Sequence, residues 1–353
     1  MKQITFRILD TIARNLGGQL SISEITRNIA KTYKSAFYKN TYDEIKGLQE
    51  QGIIKISKAG NSSFLSLNIS HSGIIDIMAE TEIIRKRTLI EHFPNKAMLL
   101  ADIKSEFRKG LYFIDSISLI DPERNFRINR AELLFIQRTP NRDETGDFDE
   151  KKNILIKAMD LGKMHGIRID CLILDEEELI SMLGAAESNP LKSALQDKIA
   201  FSSPQPFWAV IIHAMLNGRQ IFLQEPKKLS AKDIMHNMAR FGYREIGWKT
   251  EAASDICLES LTTEILLHGN ARMIEAVPVL LAKNKPVYAL LIFLCRKYGT
   301  LGKLLGLMSA MNKVKKNEVL EKHINLIKNV LEEKEQKADE KTIRQKMELY
   351  NAN

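Results

Sequence analysis

Residues 48–68 read LQEQGIIKISKAGNSSFLSLN, and this stretch decides how the N-terminal part of the chain folds. Leu48 closes an apolar helical stripe, and Gly52 is the residue type that ends a helix in a left-handed turn. Ile53–Ile56 alternates loosely, as a strand does. Lys58–Ser63 is rich in turn formers, and Phe64–Leu67 reads as a returning strand. A helix end followed by a two-stranded hairpin is expected.

The pattern extends upstream. Ile4, Ile8, Ile12 and Leu16 recur at helical spacing with Leu9 and Ala13 beside them, and Gly17-Gly18 stops that helix. Ser21 or Ser23 caps a second helix, whose buried face is Ile22, Ile25, Ile29 and Ala30. After a polar link, Lys31–Ser35, a third helix carries Phe37, Tyr42, Ile45 and Leu48. Three short helices and a hairpin over about residues 3–70 resemble the winged helix-turn-helix family. Leu48, Gly52 and Ile53 stand where that family places its leucine, its glycine and the first wing-strand aliphatic.

The resemblance implies that the third helix is a recognition helix whose N-terminal part enters the major groove of double-stranded DNA. Lys34, Ser35, Tyr38, Lys39, Asn40 and Thr41 are then the candidates on it. Lys34 and Lys39 would meet phosphates and Asn40 a base edge, while Lys58 and Asn61 would touch the backbone from the wing. Charge points the same way. Residues 1–70 hold ten Lys or Arg against five Asp or Glu, so +5 of the chain's net +8 lies there. A winged helix used for protein docking would carry the same pattern, and that alternative stays open.

Residues 71–94 form a linking helix, with Ile74, Ile77, Met78 and Ile84 in its stripe and Pro94 ending it. Winged-helix regulators often place such a helix for dimerisation or domain docking, and a homodimer would pair here. Arg85-Lys86-Arg87 reads as a solvated basic face.

Residues 95–225 alternate between helix and strand. Ala97–Phe107 is helical, and Tyr112–Ile120 and Ala131–Ile136 are strands. After a polar loop, Thr139–Asp149, come a helix, Glu150–His165, and a third strand, Ile167–Leu174. The acidic run Asp175–Glu178 caps a further helix, and Gln220–Leu223 reads as a last strand. The order resembles a nucleotidyltransferase domain of the polymerase-β type. In that family a Gly-Ser pair follows the first strand, Asp-x-Asp sits on the second, and a third carboxylate sits on a later strand. The three acids hold two Mg²⁺ ions that bridge the triphosphate and the attacking hydroxyl. Here Asp115-Ser116 stands for Gly-Ser, Arg130-Ala-Glu132 for Asp-x-Asp, and Asp170 for the third acid. One metal-ligand position is thus reversed in charge at Arg130. The resemblance implies the fold and weighs against its activity, leaving a degenerate site of Asp115, Ser116, Arg130, Glu132 and Asp170. Arg130 with Ser116 would hold a nucleotide or phosphate ligand, or Arg130 would join an ion-pair network with the acids; the second is favoured.

Residues 226–353 read as a helical bundle, with Ala271–Leu281 as one helix and a long charged helix from Val314 whose end frays beyond Glu332. His213 reads as a satisfied core histidine and Trp208 as core. The chain has 353 residues, of which 44% are apolar and 27% charged, which excludes wholesale disorder. The longest apolar run, Ala289–Cys295, is far short of a membrane span, and no secretory leader is expected. Three dispersed cysteines fit buried thiols in the cytoplasm, and the seven histidines show no zinc spacing.

The expectation is an α+β multidomain protein: an N-terminal winged helix, a central small mixed-sheet α/β nucleotidyltransferase-like domain and a C-terminal helical bundle. It would be a transcriptional regulator that binds double-stranded DNA without a metal or cofactor, its central domain sensing a ligand or mediating association. The competing reading is an active Mg²⁺-dependent nucleotidyltransferase acting on RNA or protein, including the toxin–antitoxin kind, with Glu132 and Asp170 holding the metal.

Overall fold

The computed structural model describes residues 1–59, 62–108, 113–138, 144–223, 228–245 and 253–352. The chain is α+β, with two small sheets among many helices.

Helix α1 (Gln3–Arg14) buries Ile8, Leu9, Ile12 and Ala13, the stripe legible in the sequence. A two-residue strand, β1 (Leu20–Ser21), follows and leads into α2 (Ile22–Tyr33). Ser21, not Ser23, is the cap. Its Oγ accepts the Glu24 N–H at 3.2 Å, and the Glu24 carboxylate accepts the Ser21 N–H at 2.7 Å. Helix α3 (Tyr38–Glu50) starts later than its apolar spacing implies, because Lys34 turns left-handed at φ 61 and ends α2. Phe37 therefore falls in the connection and is 71% exposed instead of buried. At the other end, the Gly52 N–H donates to Gln49 O and the Ile53 N–H to Leu48 O, both at 2.9 Å. This is the double bond of a glycine-terminated helix, with Gly52 at φ 72. Strands β2 (Ile54–Ala59) and β3 (Ser62–Leu67) pair antiparallel, and β1 adds to β3 with Leu20 opposite Leu65.

Helix α4 (Ile74–His92) is a central spine packed on α1 and on elements of the second sheet. Ile74, Met78 and Leu89 are buried inside the chain. Of the expected stripe, Ile74 and Met78 are thus covered within the chain and Ile77 and Ile84 are half-buried, while Ile83 beside it is exposed. Arg85 is buried too, so it is no part of a solvated basic face.

A short 3-10 turn (Pro94–Lys96) and α5 (Ala97–Arg108) lead to β4 (Ile114–Ile120), α6 (Pro122–Arg127), β5 (Arg130–Gln137), α7 (Glu144–Met164) and β6 (Arg168–Asp175). Then come α8 (Glu176–Gly184), α9 (Pro190–Ala194), β7 (Ile199–Ser202) and α10 (Pro204–Leu216). The sheet runs β6-β5-β4-β7, with only β5 and β6 parallel. Tyr112 and residues 139–143 of the expected loop lie outside the described residues, and α7 begins within that loop's second half. The fourth strand is Ile199–Ser202, not Gln220–Leu223. Residues 220–223 cross in irregular conformation to the N-terminal unit, where the Leu223 N–H donates to Leu16 O at 2.9 Å. His213 is exposed on α10, whereas Trp208 is buried.

The elements that follow among the described residues are helices: α11 (Ala231–Arg240), α12 (Leu258–His268), α13 (Ala271–Ile274), α14 (Val277–Lys283), α15 (Tyr288–Lys297), α16 (Leu301–Val314), α17 (Glu318–Asn329) and α18 (Glu340–Leu349). Pro278 starts a new helix and breaks the one expected over 271–281. The expected long charged helix is also two, capped by Asn317 and Asp339. Its end docks instead of fraying: Ile343 and Met347 are fully buried. The connection before α18 lies so close to α16 that a Cβ on Gly306 would come 1.8 Å from Gln336 O.

Three apolar clusters result. One joins Ile8 and Ile12 of α1 to Leu134, Trp208 and Phe293. The second fills the C-terminal bundle, and the third lies between the sheet, α5 and α7. The first crosses the expected divisions after residue 70 and near 225, the latter outside the described residues. The three cysteines are free. Among the described residues no helix is long and apolar enough to cross a membrane.

Candidate nucleic-acid interface and central charge cluster

Lys34, Ser35, Tyr38, Lys39 and Asn40 are all exposed where α2 gives way to α3. The Ser35 carbonyl accepts Arg7 Nη1 at 3.2 Å, which ties this connection to α1. Thr41 does not belong with them. It is fully buried and donates its hydroxyl to Phe37 O at 3.1 Å, because its position in α3 faces Ile45 and the core. Lys58 is exposed on β2, and Asn61 lies outside the described residues. Sequence reasoning missed an aromatic ladder on α3. The Tyr38 and Tyr42 rings stack at 6.2 Å, and Lys46 Nζ sits 4.8 Å from the Tyr42 ring. Their spacing of four residues was the available signal.

The acids of the central sheet are brought together by strand register. Parallel pairing sets Glu132 opposite Asp170 and Arg130 opposite Arg168. Both carboxyl groups are fully buried. Arg130 Nε donates to Asp170 Oδ2 at 2.8 Å and lies 3.4 Å from Glu132 Oε1. Arg168 Nε lies 3.0 Å from the same Asp170 oxygen, and Arg296 Nε lies 2.7 Å from Oδ1. Lys297 Nζ meets Glu132 Oε2 at 2.7 Å. Four cations thus surround two carboxylates, two of them from the last turn of α15, where the helix dipole favours positive charge. The arginines of the sheet also reach that turn: Arg168 Nη2 donates to Arg296 O at 3.0 Å and Arg130 Nη1 to Lys297 O at 3.4 Å. Such charge-assisted bonds occupy both Asp170 oxygens and Glu132 Oε2, while Glu132 Oε1 is buried beside Arg130 without a hydrogen-bond donor. The residues present therefore do not fit the paired Mg²⁺ ions that the resemblance implies. Among the described residues no group of three or more acids, histidines or cysteines is placed to hold a metal ion.

Asp115 and Ser116 are not part of this cluster. Ser116 pairs with Ile136, whereas Glu132 pairs with Ile120 at the other end of β4, about 14 Å away along the strand. Ser116 donates its hydroxyl to Ser202 O at 3.1 Å, and Asp115 pairs with Arg138 at 2.9 Å. The residue that follows β4 beside the cluster is Asp121. Burial first, then Asp197, raises its pKa, against the pull of Arg124 and Lys297.

A second network ties the N-terminal unit to the sheet. Asp10 of α1 is fully buried; Oδ2 accepts Arg14 Nε at 2.8 Å and the Tyr33 hydroxyl, while Oδ1 lies 3.1 Å from Arg85 Nε of α4. Glu82, one turn before Arg85, takes Lys198 and the Ala200 N–H of the β7 region. Burial alone would raise the Asp10 pKa, but Arg85 and Arg14 hold it below the usual carboxylate value. A depressed folded-state pKa means stability that is present above the unfolded value, about 3.9, and lost as pH falls through the folded one. Asp10→Asn is therefore expected to flatten the acid limb of the stability profile below about pH 4. Urea unfolding at pH 7 and pH 3.5 checks this, and an unchanged difference between the two would exclude it.

No family model, curated protein or solved structure matches the chain.

Proposed function

We propose that the chain is a winged-helix transcriptional regulator that binds double-stranded DNA through the start of α3, with a central α/β domain that senses a ligand or mediates association. The observation that carries this reading is the exposed set Lys34, Ser35, Tyr38, Lys39 and Asn40 on the first turn of α3 and just before it. Three helices, a hairpin and the added strand β1 support it, as does the N-terminal concentration of positive charge. Nucleotidyl transfer is the weaker reading, because Arg130, Arg168, Arg296 and Lys297 neutralise the two acids it requires.

The test uses the full-length protein and a random 20-base-pair duplex, with affinity followed by fluorescence anisotropy from 50 to 300 mM KCl. Phosphate contacts by Lys34, Lys39 and Lys58 set a slope of log K against log salt of about −3. A flat profile, or no affinity at 50 mM, would overturn the proposal.

A further inference from the structure

We propose that the start of α3 takes DNA where bases are unpaired, with Phe37 and Tyr38 stacking on the exposed bases. The proposal rests on the DNA-binding reading of α3 and narrows the substrate from any duplex to one holding a bulge, a bubble or a junction.

Three aromatic rings stand close together in the sequence here, at Phe37, Tyr38 and Tyr42. Phe37 is 71% exposed and Tyr38 52% exposed. Phe37 also holds the N-cap position of α3 and gives no side-chain cap. Ser, Thr, Asn or Asp there would bond a free N–H of the first turn. Phe37 thus gives the fold neither burial nor a cap. Single exposed apolar residues are ordinary, but two adjacent bulky rings backed by a third make a patch that another molecule can cover. The Tyr38 ring lies on Tyr42 with 6.2 Å between centroids and 19° between planes, and Lys46 Nζ sits 4.8 Å from the Tyr42 ring. The stack holds Tyr38 from one side and leaves its outer face open. A ring held in advance loses little freedom when a base lies on it.

Charge decides the occupant. Residues 25–42 hold Arg27, Lys31, Lys34 and Lys39 and no Asp or Glu. All four cations are exposed. Cations around open rings match a polymer that carries phosphates and flat bases together. An apolar protein groove would match the rings and leave the cations unanswered. A fully paired duplex would match the cations and leave the rings in water, because its base faces already cover one another. Unpaired bases are the easiest to bring onto a ring, since the cost of unstacking is least for them.

Fluorescence anisotropy on the full-length protein at 50 mM KCl tests this, comparing a 20-base-pair duplex with the same duplex carrying a central three-nucleotide bulge. The bulged duplex is expected to bind about tenfold more tightly or better, the effect of one base stacked on an aromatic ring. Tyr38→Ala and Phe37→Ser are each expected to cut that preference to about threefold or less and to leave affinity for the paired duplex within about twofold. Tyr38→Trp should keep the preference. The melting temperature should not fall in Phe37→Ser, because serine supplies the missing cap, whereas a structural role for the ring would lower it. Equal affinity for the two duplexes, a preference that ignores both substitutions, or variants that weaken both duplexes alike would overturn the proposal and leave the DNA-binding reading standing. No affinity for either duplex would overturn both.

Discussion

Full-length protein carrying Lys34→Glu and Lys39→Glu is expected to lose on the order of a hundredfold in affinity for random duplex DNA at 50 mM salt. Each lysine is exposed, and neither has an ion-pair partner among the described residues. Removing two phosphate contacts should shrink the salt slope by about 1.8. Reversing the charge adds repulsion, which is why the loss exceeds that of two neutral substitutions. Stability should stay within about 0.5 kcal/mol, since both positions lie on the surface. The matched control is Lys315→Glu with Lys316→Glu, an exposed pair before α17 that changes the net charge by the same amount. If the control weakens binding as much as the N-terminal pair, the attraction belongs to the whole chain and α3 is not the contact.

The second large effect is expected at Arg130. Arg130→Ala should lower the unfolding free energy by about 3 kcal/mol, the low end for breaking a buried ion pair. Asp170 would keep Arg168 and Arg296, but Glu132 would keep only Lys297, and Lys297 O would lose a donor. Urea unfolding measures the loss. A companion measurement separates a structural cluster from a masked catalytic one. Millimolar Mg²⁺ or Mn²⁺ should leave the melting temperature of the wild-type protein unchanged, because stabilisation requires a ligand to bind the folded state. A rise in melting temperature together with transfer of labelled nucleotide would restore the catalytic reading.

Much of the local fold was legible because period and punctuation agree there. Ile4 to Leu16 and Ile25 to Ile29 are spaced for one helical face, and Gly52 ends α3 through backbone bonds that depend on neighbouring residues alone. What stayed hidden depends on distant partners. Strand β1 exists because Leu20 finds Leu65, and β7 because Ile199 to Ser202 finds β4. Neither has enough alternation of its own to announce itself. The candidate site shows the same division. Arg130, Glu132 and Asp170 were grouped in advance because the resemblance to the polymerase-β type sets these positions on neighbouring strands. Arg296 and Lys297 were not, because α15 reaches them across the boundary assumed near residue 225. Asp115-Ser116 was misplaced because the order of elements along the chain does not say which end of a strand a residue occupies. Thr41 was misjudged because a polar side chain beside exposed lysines gives no sign that it faces inward.

The apolar cluster joining α1 to Trp208 and Phe293 also sets a schedule for the newborn chain. At about 5–20 residues per second, Phe293 leaves the ribosome roughly 15 to 55 seconds after Leu16. For roughly the first 10 to 39 seconds of that interval, until Ile211 has been made, Ala13 and Leu16 lack the walls of the small cavity they share with Phe207, Trp208 and Ile211 in the finished protein. The α1 unit is synthesised before α10 but completed only after it. A nascent chain halted before α10 should therefore be a holdase client, and DNA-binding competence should arrive only once α10 and Phe293 have been made.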